Sequence, residues 1–240
     1  MKVLVTNYAK TSTITALDAS VSYPAENVAH VFLDKIFISE LITDTLTVDF
    51  GSDKSVNCVF IAGCNATSVD VVIKNAALAT VYTGTTAITA DEIVIYPGTV
   101  TGRYLTITGT AVGSDYFKIK GVGVGVYVDL GTRSFQSDLP ITNATTMTTS
   151  PYGQMLANRA PTLRSRSVSI SVPRKESGFS LANSIRDTFK DIGLGLPAYW
   201  DMNDVNSDEE PPIYGAITSP WSTSFDMNAY TVSFQIQECR

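Results

Sequence analysis

Residues 46–51 read Leu-Thr-Val-Asp-Phe-Gly. Apolar and polar side chains alternate from Leu46 to Phe50, and Gly51 ends the run. Because neighbouring side chains of a strand point to opposite faces of a sheet, this alternation indicates a strand with one buried face. The stretch therefore predicts a strand that lies against an apolar core.

Further runs of this kind follow along the first half of the chain. They are rich in β-branched residues, and glycine, asparagine or proline separates most of them. Short strands at close spacing with turn residues between them are typical of an all-β sandwich or barrel. The runs are residues 56–61, 69–73, 93–96, 104–108 and 116–120.

Residues 121–128 alternate glycine with valine and end in Tyr-Val. Glycine-rich loops that bind dinucleotides need a strand before the glycines and a helix after them. Here the glycines stand inside a strand pattern that continues beyond them. The run therefore predicts a strand whose bare face is crossed closely by another backbone.

The second half contains one convincing helix, near residues 180–192. Ser180 is a suitable N-cap, and Leu181, Ile185 and Phe189 recur at a spacing of four residues. Gly193 is a suitable C-terminal cap. The spacing predicts an amphipathic helix with one apolar stripe.

The remaining patterns of the second half predict strands, so the whole chain is predicted to be mainly β. Residues 1–130 are expected to form a β-sandwich. Residues 131–240 are expected to form a β-rich α+β domain with the helix laid on a sheet. The strands of the second half are predicted at residues 162–173, 196–200, 213–218 and 230–236.

Composition excludes several classes of protein. The chain has 240 residues, a net charge of −6 and 17% charged residues, against about 25% in soluble domains. An acidic chain is a poor general binder of nucleic acid, because phosphate contacts need a basic face. No apolar run approaches the roughly 18–20 residues of a membrane span. Residues 1–7 turn polar too early for a signal peptide, which predicts synthesis in a reducing cytoplasm.

The chain offers little catalytic or metal-binding chemistry. His30 is the single histidine, and no Gly-x-Ser-x-Gly motif occurs. Cys58, Cys64 and Cys239 form no Cys-x-x-Cys pair, so small buried thiols are expected rather than a zinc site or a disulfide framework. We therefore predict no catalytic residue, no cofactor and no metal. A hydrolase that uses a pair of carboxylates from residues 201–208 is the weakest hypothesis.

Opposite charges concentrate in two stretches of the second half. A solvated acidic loop is the preferred interpretation of the acidic stretch, because it lacks the glycine and glutamate positions of a calcium-binding loop. If the two stretches pair between subunits, they form a subunit interface, and this is the contact that we predict. Pairing within one chain and plain solvation of both stretches stay open as alternatives. The residues are Arg159, Arg164, Arg166, Arg174 and Lys175 on the basic side, and Asp201, Asp204, Asp208, Glu209 and Glu210 on the acidic side.

Aromatic residues make up 10% of the chain. A line of exposed aromatic rings stacks well on sugars. Trp200 ends an apolar run and Trp221 follows a proline at a turn, and Tyr199 and Tyr214 stand in predicted strands. Core or interface packing is therefore the preferred interpretation for these four side chains.

The first half resembles the galactose-binding-like, or discoidin-type, jelly roll over about residues 20–130. The similarity is carried by residues 46–51, by the run from 56 to Gly63 and Asn65, and by the strands at 103–107 and 116–125. The resemblance implies a β-sandwich that could bind sugar through loops at one end. Asn65, Thr83 and Thr99 are the candidate glycan residues.

The second half resembles tail proteins of long-tailed bacteriophages, of the distal-tail or related tail-tip type. The similarity lies in the order of a strand with Arg164 and Arg166, a short helix, an aromatic strand at 196–200, an acidic loop and a final alternating strand. One departure is that the jelly roll comes first here. The resemblance implies a homo-oligomeric ring, often of six subunits, that contacts a tail tube, a hub or a fibre in the virion.

These resemblances give the functional expectation. The main hypothesis is a structural component of a tail tip or baseplate that joins the tail tube to tip or receptor-binding proteins. The alternative is a carbohydrate-binding adhesion module that recognises a glycan of the host surface. A ring contact of the head-to-tail kind needs two different patches on each subunit, which the basic and acidic stretches would supply.

Overall fold

The computed structural model describes most of the first half of the chain and the main strands of the second. The described residues are 1–30, 33–130, 133–134, 141–143, 146–149, 155–158, 162–173, 187–195, 197–201, 212–220, 222–225 and 229–239.

The chain is mainly β, as predicted from the alternating runs. The first eleven strands are β1 (Lys2–Asn7), β2 (Thr13–Ala16), β3 (Phe37–Ile38), β4 (Thr43–Val56), β5 (Cys58–Ala62), β6 (Ala66–Lys74), β7 (Thr80–Ala87), β8 (Glu92–Ile95), β9 (Val100–Ala111), β10 (Lys118–Ile119) and β11 (Gly121–Asp129). The later strands are β12 (Arg133–Ser134), β13 (Ile141–Asn143), β14 (Thr146–Thr149), β15 (Met155–Asn158), β16 (Thr162–Pro173), β17 (Pro197–Asp201), β18 (Ile213–Ile217), β19 (Ser222–Phe225) and β20 (Ala229–Glu238).

The helical elements of the described chain are short. Two 3-10 turns cover Tyr8–Thr11 and Ala25–Ala29, and one helix, α1, is described over residues 187–192. Within the described residues, no helix is long and apolar enough to cross a membrane.

The chain divides into two compact units. The first contains Met1–Leu130 and Ala198–Tyr214, and the second contains Gly131–Pro197 and Gly215–Arg240. A division into residues 1–130 and 131–240 therefore differs from the structure in one segment. The reason is long-range pairing: β17 pairs with β1, with Trp200 opposite Val3.

The first unit is a β-sandwich. One sheet has the antiparallel strand order β2-β4-β9-β6-β7, and the other contains β17-β1-β11-β5-β8. Alternate residues of β4 and β9, such as Leu46 and Ile107, are fully buried and form one apolar core with Val59 and Val122 of the opposing sheet. The burial confirms the predicted strand at 46–50 and the N-terminal sandwich.

The glycines of β11 make room for bulky neighbours. A Cβ atom built on Gly123 would lie 2.6 Å from the ring of Tyr199, and one on Gly121 would lie 2.5 Å from Leu33 Cδ2. Only at Gly125 is the close neighbour a backbone atom, the carbonyl oxygen of Thr6. The predicted close approach is therefore correct, but side chains rather than a crossing backbone fill most of the bare face.

In the second unit, β16 pairs with β12, β13 and β20, and β20 also pairs with β18 and β19. The helix α1 buries Phe189, whose ring centre lies 4.7 Å from that of Phe234. Gly193 has a φ of 73° and donates its N–H to the Phe189 carbonyl, so it ends the helix as predicted. Ser180, Leu181 and Ile185 lie outside the described residues.

Candidate functional site

Most of the predicted subunit-interface residues lie outside the part of the chain that the structure describes. Arg164 and Arg166 lie in β16, opposite Ile141 and Ile236 respectively. Arg159, Arg174, Lys175, Asp204, Asp208, Glu209, Glu210 and Trp221 lie outside the described residues.

Asp201 is not a solvated loop residue, contrary to the prediction. It ends β17 opposite Lys2, is 3% exposed, and accepts a hydrogen bond from the Tyr96 hydroxyl. Lys2 Nζ lies 3.9 Å from the Tyr96 ring centre and 5.0 Å from that of Tyr127. Burial, followed by the bond to Asp201, raises the pKa of the Tyr96 phenol. The carboxylate thus belongs to a cluster inside the first unit.

The other chemistry-bearing residues of the sequence have structural surroundings. Cys58 is buried, and Cys64 and Cys239 are partly buried; burial raises the pKa of each of these free thiols. His30 Nδ1 lies 3.9 Å from the Asp34 carboxylate at the surface. Among the described residues, no group of three or more His, Cys, Asp and Glu side chains could hold a metal ion.

Three predicted core aromatics are buried in the first unit. Tyr199, Trp200 and Tyr214 are 4%, 0% and 1% exposed. The Tyr199 ring stacks on Phe60 at 5.1 Å between centres and lies 4.5 Å from the Tyr214 ring. The preference for core packing over sugar stacking is confirmed for these three rings.

The three candidate glycan residues lie at different places in the first unit. Thr83 is an exposed residue in the middle of β7, not in a loop. Thr99 directly precedes the twelve-residue strand β9, whereas Asn65 directly precedes β6, whose first residue pairs with Ala111 at the end of β9. A strand rises about 3.3 Å per residue. Because the length of β9 separates them, Thr99 and Asn65 stand at opposite ends of the sheet. Thr83 and Thr99 therefore lie away from the end of the sheet at which Asn65 stands, and sugar binding near any of the three stays a prediction.

Asn65 instead fixes a loop at its own end of the sandwich. Its Nδ2 donates to the carbonyl oxygen of Tyr116 (2.7 Å), and its Oδ1 accepts from the backbone N–H of Lys118 (2.8 Å). Its backbone carbonyl also accepts from the N–H of Val112 at 3.1 Å. The side chain of Asn65 therefore holds residues 116 and 118, and its backbone carbonyl holds residue 112.

The fixed loop presents a tyrosine beside an ion pair. Tyr116 is 53% exposed, while the next residue, Phe117, is fully buried and meets Phe37 edge to face at 6.3 Å between ring centres. Lys118 Nζ donates to Asp115 Oδ2 at 2.7 Å, and this bond lowers the pKa of the Asp115 carboxyl. One short loop thus presents an exposed tyrosine and a surface ion pair.

Exposed apolar residues stand in the segments that hydrogen-bond to this loop. The carbonyl oxygen of Leu41 accepts from the N–H of Phe117 at 3.0 Å, and that of Ile42 accepts from the N–H of Ala111 at 2.9 Å. Exposed apolar side chains usually occur singly, so three of them on hydrogen-bonded segments are unusual. Leu41, Ile42 and Val112 are 42%, 45% and 59% exposed. We call the following residues the end-loop surface: Leu41, Ile42, Val112, Asp115, Tyr116 and Lys118.

A buried carboxylate organises the neighbouring segment. Asp44 is 1% exposed, and its side chain accepts from the backbone N–H groups of Leu17 (3.1 Å), Asp18 (3.4 Å) and Thr45 (2.6 Å). These bonds tie residues 17–18 to the start of β4, next to Ile42. Leu17 is 78% exposed, so it extends the apolar character of this end of the sandwich.

Sequence reasoning missed Tyr116 because it read residues 116–120 as one alternating strand. The strand is only Lys118–Ile119, and Tyr116 belongs to the loop. The run Gly113-Ser114-Asp115 was the available signal, since three turn-forming residues directly before two aromatics favour a loop.

Neither a family model nor a curated protein matches the chain. Solved structures do match about half of it. Chitosan-binding module 1 of a chitosanase/glucanase from Paenibacillus sp. IK-5 is 23% identical, with a TM-score of 0.45, over 50% of this chain and 99% of that one. The lectin domain of lectinolysin, complexed with Lewis B antigen, is 15% identical, with a TM-score of 0.45, over 50% and 95%. A fucose-binding module of Streptococcus pneumoniae is 12% identical, with a TM-score of 0.46, over 51% and 99%.

Proposed function

We propose that the first unit is a carbohydrate-binding module and that the end-loop surface is its site. The observation that carries the proposal is the exposed ring of Tyr116 next to the Asp115–Lys118 ion pair, on a loop that Asn65 holds in place. The proposed role is recognition of a glycan without turnover.

The chemistry of the surface suits a sugar ring. A pyranose has a face of C–H groups and a rim of hydroxyl groups. The face of Tyr116 can stack on the C–H groups, because an aromatic side chain combines a large apolar body with a polar tip. Asp115 can accept hydrogen bonds from sugar hydroxyls and Lys118 can donate to them, and hydrogen bonds to charged groups are stronger than neutral ones.

The loop is built before any ligand arrives. Asn65 bonds on both sides of Phe117, and Phe117 is anchored in the core. A ligand that binds a fixed surface loses less free energy in ordering the protein than one that binds a loose loop. The fixed loop therefore supports the proposal that this surface binds a ligand.

Assembly into a phage tail ring stays a prediction. Most of the charged residues that would form its two patches lie outside the described residues. A glycan-binding unit would suit a virion protein that contacts the host surface, and a virion location also stays a prediction.

The first experiment is a screen of the whole chain on an array of microbial, plant and animal glycans, followed by calorimetric titration of each hit. We expect saturable binding to a restricted set of glycans, suppressed by the free sugar. Signals on every glycan alike, or none on any, would contradict the proposal.

A further inference from the structure

Hydrogen bonds join three segments of the first unit into one frame around the end-loop surface. The carbonyl oxygen of Asp18 accepts from the N–H of Glu40 at 2.8 Å. The carbonyl oxygen of Phe117 accepts from the N–H of Ser39 at 2.9 Å. The segments are therefore close in space, and we call them the end-loop frame: residues 17–18, 39–44 and 111–120.

The end-loop frame carries a net negative charge. It contains four acidic residues and two basic ones, in a chain whose net charge is −6. Lys118 and Asp115 form an ion pair at 2.7 Å, and with that pair neutral, three carboxylates remain against one ammonium group. An anionic ligand would therefore meet net repulsion. The acidic residues of the frame are Asp18, Glu40, Asp44 and Asp115, and the basic ones are Lys118 and Lys120.

The exposed apolar side chains of the frame act in the same direction. Leu41, Ile42 and Val112 all belong to it. A carboxylate or sulfate group that binds beside such side chains loses hydrating water, and a charge that is buried without a partner is costly. A sugar hydroxyl or an acetamido group loses less free energy there, because it is uncharged.

We infer that the end-loop surface binds uncharged glycans and rejects glycans that carry carboxylate or sulfate groups. The inference rests on the proposed function and adds the class of ligand to it. Repulsion between like charges and loss of hydration both act against an anionic sugar. An uncharged sugar meets neither penalty and can still stack on Tyr116.

The first measurement is calorimetric titration of the full chain with matched pairs of glycans. Each pair consists of a neutral glycan that binds on the array and the same glycan with one added sialic acid or sulfate group. At low salt, we expect the charged member to bind at least about fivefold more weakly. Added salt should strengthen its binding and leave that of the neutral member unchanged, because salt screens repulsion between charges.

Two substitutions that change the net charge equally test whether the frame is responsible. Asp115 and Asp53 are both exposed, and Oδ1 of each accepts a backbone N–H, from Tyr116 and Ala76 respectively. Asparagine at either position keeps an oxygen for that bond and removes one negative charge. Asp53 is the matched control, because it directly precedes Lys54, which pairs with a residue near the other end of β9.

The two variants should differ in selectivity. Asp115→Asn should narrow the difference in affinity between the neutral and the charged glycan, because it leaves the ammonium group of Lys118 to pair with the anion. Asp53→Asn should leave that difference as it is in the unaltered chain.

Several results would overturn the inference and leave the proposed function standing. They are a charged glycan that binds as tightly as its neutral partner, a charged glycan whose binding weakens as salt rises, and an Asp53→Asn variant that narrows the difference as much as Asp115→Asn does. The second of these needs no substitution, so it applies even if Asp115→Asn fails to fold. Binding of no glycan at all would overturn the proposed function and the inference together.

Discussion

The side-chain amide of Asn65 donates to the carbonyl oxygen of Tyr116 across 51 positions of sequence, at 2.7 Å. The same side chain accepts from the N–H of Lys118 at 2.8 Å. One residue directly before β6 thereby fixes the backbone on both sides of the buried Phe117. The exposed ring of Tyr116 owes its position to this clamp.

Replacing Asn65 should loosen the loop and weaken binding together. Asn65→Ala removes both hydrogen bonds and leaves their backbone partners to find water, which should cost about 1–3 kcal/mol of unfolding free energy. Asn65→Asp keeps the acceptor for Lys118 but turns a second carboxylate oxygen towards the Tyr116 carbonyl oxygen, so it too should be destabilised at neutral pH. Denaturant unfolding and glycan titration of both variants check this, and an Asn65→Ala variant that is as stable as the unaltered chain would contradict the clamp.

A methyl group on Gly123 should be poorly tolerated. Its Cβ would lie 2.6 Å from the buried Tyr199 ring and 2.9 Å from Leu4 Cδ2, so Gly123→Ala should destabilise the fold by about 1–3 kcal/mol. Gly84 is the control, because its Cβ would meet the terminal hydroxyl of the half-buried Tyr82, which can move. Thermal unfolding of both variants should place Gly123→Ala well below Gly84→Ala.

The Tyr96–Asp201 hydrogen bond should be stabilising. Tyr96→Phe removes a donor from a carboxylate that is 3% exposed, and we expect a loss of about 1–3 kcal/mol. Asp201→Asn in the same background should cost less than it does alone, because the two residues share one interaction. A double-mutant cycle by urea unfolding measures the coupling, and additive effects would show that the bond contributes nothing.

Acid should abolish the contribution of one surface ion pair. Arg103 donates from Nε and a terminal nitrogen to both oxygens of Asp49, at 2.8 and 2.9 Å, and these bonds lower the pKa of Asp49 below its ordinary 3.8. The pair therefore stabilises the fold above that pH, and its contribution is lost as the pH falls through the lowered pKa. The stability difference between the unaltered protein and Arg103→Met should shrink on going from pH 6 to pH 3. A difference that grows would contradict this sign.

Local patterns predicted the elements better than their partners. Alternation located the strand at 46–50, and the glycine at 193 marked the helix end, because both depend on nearby residues. The pairing of Trp200 with Val3 depends on contacts between distant segments, and no local pattern encodes it. The same reason explains why the sequence alone did not show that Asn65 and Thr99 stand at opposite ends of β9.

The most direct test of the proposed site is the affinity of Tyr116→Ala for the glycan that binds best on the array, measured by calorimetry beside the unaltered chain. Tyr104→Ala is the matched control, since Tyr104 is a partly exposed tyrosine near the other end of β9. Removal of a stacking aromatic platform should weaken binding at least about tenfold, while Tyr104→Ala should bind as the unaltered chain does. Equal affinity of all three proteins would contradict a carbohydrate site at the end-loop surface.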